Sequence, residues 1–197
     1  MAAQTSRGLR QVIWCAKGPY TVFDIETTGM SPVYDRIVEL AAVRISCDGS
    51  LEHFSTLVNP GFHIPERATN IHNITDFMVK DAPFFEDIAQ DFHNFIAGST
   101  LVAHNARFDL SFIQESFHRG GFPVWQGSTM DSLRLARDTY PGLPSYSLQN
   151  LRQHFKLATA PGMNPHRAAA DVEWTRQLLE RLLTAVYNAA GCNNLNQ

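Results

Sequence analysis

The sequence predicts one α/β domain built on a mixed sheet. Three observations predict it. The first third of the chain reads as a strand meander broken by Gly, Pro and Asp-Gly turns. The remainder alternates helical periodicity with a short apolar run. No repeat, low-complexity tract or linker divides the chain, and 197 residues suit a single core. Strands first, then helices and strands in alternation, is an α/β layer pattern.

In chain order, residues 1–17 read as a lead-in with a short strand at 11–15. Residues 20–26 are β-branched and aromatic, hence a strand, stopped by Gly29-Met30-Ser31-Pro32. Residues 37–45 (IVELAAVRI) form a second strand, and Asp48-Gly49 turns it into a third at 53–58. Asn59-Pro60-Gly61 ends the meander. Residues 65–74 read as short helix and loop. Residues 84–97 carry Phe84, Phe85, Ile88, Phe92, Phe95 and Ile96 at helical spacing, and Gly98 stops that helix. Residues 100–103 (TLVA) are a short buried strand. Helices follow at 106–117, 131–138 and 147–155, the last capped by Ser145 or Ser147. A long helix at 167–188 turns Val172, Leu178, Leu179, Leu182, Leu183 and Val186 inward, and residues 189–197 form a frayed polar tail.

Composition narrows the function classes. The chain is 44% hydrophobic and 18% charged with a net charge of −3, which does not suit coating duplex DNA by bulk electrostatics. It leaves room for a nucleic-acid enzyme whose positive charge arrives as metal ions. Cys15, Cys47 and Cys192 are scattered without a CxxC pair and read as free thiols in a reducing compartment. The first residues lack the apolar stretch of a signal peptide, and no run approaches the ~20 apolar residues of a membrane span. The expectation is a cytoplasmic protein without a membrane partner.

The stretch VFDIETTG, residues 22–29, carries the first chemistry. Asp24 and Glu26 are two apart on a strand, so they project from one face. Two like charges within an apolar run are costly unless something positive meets them. A divalent cation would do so, and carboxylate oxygens suit Mg²⁺ and Mn²⁺. The alternative, that each acid caps a turn or pairs with an arginine, stays open on this pattern alone. In LVAHNARFDLSFI, residues 101–113, a buried strand leads into a helix with Asp109 in its first turns. The helix dipole alone would accommodate that acid, although strand ends before helices are also where α/β sheets build sites. In NPHRAAADVEWTRQLL, residues 164–179, Asp171 lies on the last helix beside small alanines. His166 precedes it by five, which on one helix would separate them by about 140°. The two can share a site only if His166 lies outside the helix, as Asn164-Pro165 suggests. A solvated surface histidine is the competing reading.

VFDIETTG, HNARFD and HRAAAD in this order resemble the DEDD superfamily of 3′→5′ exonucleases, in its histidine-bearing branch. The likeness spans roughly residues 20–187. IHNITDFMV at 71–79, DSLRLAR at 131–137 and YSLQNLRQHF at 146–155 support it, although the family often has glycine where Asn73 stands. Within that branch the closest likeness is to the exonuclease of the DNA polymerase III epsilon group. The resemblance implies a ribonuclease H-like fold, a mixed five-stranded sheet flanked by helices, with the exonuclease domain at 18–188. It implies two divalent ions, Mg²⁺ or Mn²⁺, held by Asp24, Glu26, Asp109 and Asp171. It implies His166 as the general base, a role suited by histidine's ordinary pKa. Hydrolysis needs an activated water, neutralised phosphate charge and a stabilised leaving oxygen, and two metals can supply all three.

By the same resemblance Thr27, Thr28 and Met30 line a pocket for the terminal nucleotide. Ile71 and His72 contact its base and sugar, and Phe108 packs on the base, with Asn105 nearby. Each has a plainer alternative: core packing for Met30 and Ile71, a backbone carbonyl bond for His72, a helix cap for Asn105. Glu39 within the second strand reads as a buried, hydrogen-bonded acid, and Asp131 as a helix cap at the edge of the site. Trp125 and Trp174 read as core or rim. His63, His93, His118 and His154 lack metal-ligand spacing and read as surface.

The implied activity is release of nucleoside 5′-monophosphates from nucleic-acid 3′ ends, single-stranded DNA first. An RNA-trimming enzyme is the alternative, because local contacts sense the 2′-OH. A binding module would have lost one of the five motif residues, and all five stand here. A hydrolase of small phosphodiesters would be told apart by mononucleotide competition. The epsilon group carries a longer C-terminal tether to its polymerase. Here about ten residues follow the last helix, which sets a polymerase partner in doubt and favours a free-standing enzyme or excised domain.

Overall fold

The computed structural model describes Trp14 and residues 18–191. The meander forms as β1 (Tyr20–Thr27), β2 (Ile37–Ile45) and β3 (Leu51–Leu57). Then come α1 (Glu66–His72), α2 (Asp76–Val79), α3 (Phe85–Ile96), β4 (Thr100–Ala103) and α4 (Ala106–Arg119). The chain continues with β5 (Thr129–Asp131), α5 (Ser132–Thr139), α6 (Leu148–Phe155) and α7 (Ala168–Ala189). The five strands make one mixed sheet in the order β3-β2-β1-β4-β5. β1–β2 and β2–β3 are antiparallel, whereas β1–β4 and β4–β5 are parallel.

β1 is central, and its alternation divides the core. Phe23 and Ile25 face α3 and α4, where Phe92, Phe112 and Phe117 pack against them. Tyr20 and Val22 face α7 with Trp14, Val172 and Leu179. Asp24 and Glu26 share the parity of Tyr20 and Val22, so they lie on the α7 side of the sheet. The β1–β2 register sets Glu26 directly opposite Glu39 and shifts between Glu26 and Thr27. Such an irregularity bends the strand end and re-aims its side chains. Parallel pairing of β1 with β4 runs from Tyr20↔Thr100 to Val22↔Val102, so beyond Val22 the two strands diverge. That divergence opens the sheet beside the acids.

Trp125, at the rim of the core, and Trp174, fully buried on α7 against α6, are as expected, whereas several other expectations need correction. Val186, expected inward, is 44% exposed, because the buried stripe of α7 ends at Leu182. The strand β5 is absent from the sequence expectations. Its three residues, TMD, carry no alternation long enough to detect, and it exists only as an edge paired to β4. The single turn α2 escaped for the same reason. The strand expected at 11–15 lies outside the described residues except for Trp14, which is helical. His93 is half-buried against the edge of Phe117 rather than at the surface. Cys15 and Cys192 lie outside the described residues, and Cys47 is half-buried. No described helix is long and apolar enough to cross a membrane.

Candidate active site

The end of β1 and the start of α7 bring three carboxylates together. Asp24, Glu26 and Asp171 each present an oxygen within 4.8 Å of the others. Asp109 lies outside this tight trio, yet among neighbouring charges it raises Asp24 the most. It is buried at the first turn of α4 and bonded to the backbone N–H of Ile25 and to its own. The divergence of β1 from β4 frees that Ile25 N–H for it.

Burial raises every one of these acids, and for Asp24, Glu26 and Asp109 neighbouring carboxylates add to it. Burial lifts Asp24 well above the ordinary carboxylate range, reinforced by Asp109, Asp171, Glu26 and Glu39. Burial, then Asp171 and Glu39, pushes Glu26 up to about 8. Burial pushes Asp109 to about 7 and Asp171 to about 6. For Asp171 the His166 N–H and the Gln149 amide resist the rise. Converging carboxylates that cannot all ionise form an all-oxygen donor set that a hard divalent cation fits.

His166 lies outside α7, as its spacing from Asp171 required. Its backbone is left-handed, with φ 58°, and its N–H donates to Asp171 Oδ2 at 3.1 Å. That bond folds the residue back over the helix start. The side chain is exposed, and among the described residues the imidazole has no hydrogen-bond partner. Asp171 Oδ1 accepts from Gln149 Nε2 at 3.0 Å, so both oxygens are oriented.

A buried ion pair anchors this helix start. Glu39 is 4% exposed and accepts from Arg167 Nη2 at 2.7 Å and Nε at 3.1 Å. It also accepts from the Ala168 N–H at 2.9 Å. The expectation of a buried, hydrogen-bonded acid at Glu39 is met. Arg167 and Gln149 are the functional-site residues that sequence reasoning missed. Arg167 stands inside HRAAAD, where the motif drew notice to its neighbours, and Gln149 carries no signal beyond its place in YSLQNL.

Beside the acids a cavity of about 270 Å³ is lined by Thr27, Thr28, Met30, Ile71, His72 and Phe108. Six of the seven predicted nucleotide contacts therefore converge. Met30 is 80% and Ile71 56% exposed, which core packing does not explain. His72 is buried, and its Nδ1 accepts from the Ile74 N–H at 3.0 Å. Burial holds its ring below the usual histidine range, with the Thr27 carbonyl pulling the other way. Asn105 does not line this cavity. It is left-handed, with φ 70°, and its side chain makes no cap bond, so the helix-cap alternative fails. Instead Asp131 Oδ1 accepts the Asn105 N–H at 3.1 Å and caps α5 through the Leu133 N–H at 2.9 Å. The pocket loop is pinned by Asp35, which accepts from Thr28 Oγ1 and the Ser31 N–H. A Cβ on Gly29 would lie 2.5 Å from that carboxylate, so any other residue there would displace Asp35. A larger cavity of about 790 Å³ between α6 and the outer side of α7 contains none of the motif residues.

The exonuclease family model, RNase_T, matches residues 21–179. The chain belongs to the exonuclease family. The PolC-type DNA polymerase III of Oceanobacillus iheyensis is 37% identical over 176 residues, covering 89% of this chain and 12% of that protein. That of Caldanaerobacter subterraneus subsp. tengcongensis is 38% identical over 167 residues, covering 85% and 12%. This chain therefore spans about an eighth of the length of these curated relatives. Among solved structures, Exonuclease X in complex with 5′ overhanging duplex DNA aligns with TM-score 0.66 and 34% identity, covering 87% of this chain and 93% of that one. E. coli Exonuclease I in complex with a dT13 oligonucleotide aligns with TM-score 0.77 over 88% of this chain and 42% of that one. At 22% identity it supports the fold alone.

Proposed function

We propose that this exonuclease removes nucleoside 5′-monophosphates from DNA 3′ ends, with divalent cations held by Asp24, Glu26, Asp109 and Asp171. The observation that carries the reading is the convergence of Asp24, Glu26 and Asp171 beside the cavity lined by Met30, Ile71 and Phe108. When bound, two Mg²⁺ or Mn²⁺ ions would supply a lowered water pKa and charge neutralisation on the phosphate and leaving oxygen.

The chain's own residues do the rest. The apolar faces of Met30, Ile71 and Phe108 grip the terminal base without reading its identity. Thr27 and Thr28 fix the sugar end, and His72 stays neutral against it because it is buried. His166 takes the proton of the attacking water on a free imidazole nitrogen, while its backbone stays tied to Asp171. DNA is favoured because Exonuclease X, at 34% identity, was solved on DNA and the curated relatives are DNA polymerases.

The test is a gel of 5′-labelled single strands of matched DNA and RNA with Mg²⁺, Mn²⁺ or chelator. A ladder shortening from the 3′ end, abolished by chelator and by Asp171→Ala, with DNA the faster, is the expected result. Faster RNA shortening overturns the substrate, and no shortening of either strand overturns the activity.

A further inference from the structure

A second cleft lies at the same end of the sheet, on the opposite side from α7. It encloses about 200 Å³ and is lined by Arg36, Arg119, Asn59, Gly61, Phe84 and Glu86, among others. Both terminal nitrogens of Arg119 are buried, yet neither has a hydrogen-bond partner. Removing guanidinium donors from water without partners is costly, so such a group is set up for a ligand. Arg36 is the main charge working against it, after burial itself. Glu86 and Glu115 attract it, but neither makes an ion pair with it among the described residues. Two guanidiniums and the Glu86 carboxylate leave the lining with one net positive charge, which one phosphodiester would balance.

The size and rim of the cleft narrow the occupant. At about 30 Å³ per water the space holds a hydrated phosphate, and it is below the ~300 Å³ of a typical small-molecule site. Phe84 at the rim is 49% exposed, and Phe62, 45% exposed, lies 5.9 Å beneath the Arg36 guanidinium. Cations beside exposed aromatic faces form a surface suited to single-stranded nucleic acid.

The cleft shares a wall with the nucleotide pocket. Arg36 donates its N–H to Thr28 Oγ1 at 3.0 Å and accepts the Thr28 N–H at 2.9 Å. Along α4, Phe108 lines the pocket and Arg119 the cleft, about 16 Å apart at 1.5 Å per residue. Roughly five nucleotides cover that span at 3.4 Å per stacked step.

We infer that Arg36 and Arg119 bind a backbone phosphate of the substrate strand, a few nucleotides upstream of the 3′ terminal base. The inference takes its occupant from the proposed exonuclease reading. The cleft sets the length of strand the enzyme holds, and the apolar pocket holds only the end.

The experiment is a length series, 5′-fluorescein oligothymidylates from dT2 to dT10. Binding is read by anisotropy in chelator and turnover by kcat/KM with Mn²⁺. For the wild type both should step up between about three and six nucleotides. Arg119→Gln should remove that step, weakening binding of dT8 roughly tenfold while leaving dT2 unchanged. The salt slope for dT8 should fall by about 0.7, as for one lost single-strand phosphate contact. Arg119→Lys should retain part of the step. Arg36→Gln reads the other half of the cleft if Arg119→Gln does not fold. Equal losses at every length, or no loss, overturn the inference. So does Arg119-dependent protection of the fold by inorganic phosphate with an unaltered length profile, which would mark a free-anion site. Absence of wild-type turnover at all lengths refutes the exonuclease reading, while the anisotropy arm still decides the cleft.

Discussion

Replacing Arg167 with alanine should destabilise the protein out of proportion to the exposure of that side chain. Arg167 is about one-third exposed, yet its guanidinium provides every side-chain donor that reaches Glu39. Without it, Glu39 retains only the Ala168 N–H and stays buried opposite Glu26. Stranding one partner of a buried pair costs roughly 3–5 kcal/mol, and the partial exposure of Arg167 points to the lower end. At about 2–4 °C per kcal/mol for a chain of this size, Tm should fall by roughly 6–12 °C. The decisive comparison is the double variant. Glu39→Gln on its own breaks the pair from the other side. Added to Arg167→Ala, it removes the stranded charge and should recover at least about 1 kcal/mol. Thermal melts of the four proteins in chelator at pH 7.5 measure this. If the double variant is as unstable as the two single losses combined, Glu39 is not a stranded charge and the account of the helix anchor is wrong.

The remaining predictions concern the acids and the histidine. Glu26 is held near 8 against an ordinary 4.5, so the folded state keeps a proton that the unfolded chain gives up. Its contribution is fully present below about pH 4.5 and is lost as pH rises through 8. In chelator, Glu26→Gln should therefore melt higher than wild type at pH 9 and show no such advantage at pH 4.5; a constant difference would refute this. Binding of Mn²⁺ at pH 7 should release protons from Glu26 and Asp109, seen as a calorimetric heat that depends on buffer ionisation, whereas buffer-independent heats would contradict the raised acids. His166→Asn keeps a residue that tolerates positive φ, so the turn and the bond to Asp171 should survive while kcat falls about 10²–10⁴-fold. A loss below tenfold would remove His166 from proton transfer.

The parts of the site that were legible in the sequence are those fixed by local periodicity. The strand alternation placed Asp24 and Glu26 on one face, and the proline before His166 with its five-residue spacing from Asp171 put the histidine outside the helix. The buried acid at Glu39 was legible as a charge within an apolar strand. Its partner was not, because Arg167 reaches it from 128 residues away. The left-handed backbone of Asn105 and the edge strand β5 were hidden for a related reason. Both depend on Asp131 and β4, which tertiary packing brings together. Val186 failed for the opposite reason, since an apolar residue in a helical stripe need not have anything to pack against at the helix's end.

The carboxylates that meet in this site are far apart in the order of synthesis. β1 supplies Asp24 and Glu26, and α7, much later in the chain, supplies Asp171 from Ala168–Ala189. A nascent chain that has completed the whole meander and its covering helices therefore still lacks the residue that closes the site. On the proposed reading, the carboxylate set is completed when α7 docks on β1 and β2, which is also where the Glu39–Arg167 pair forms. Under the proposed activity, a polypeptide lacking α7 would lack Asp171, and with it one of the three carboxylates that meet at the end of β1.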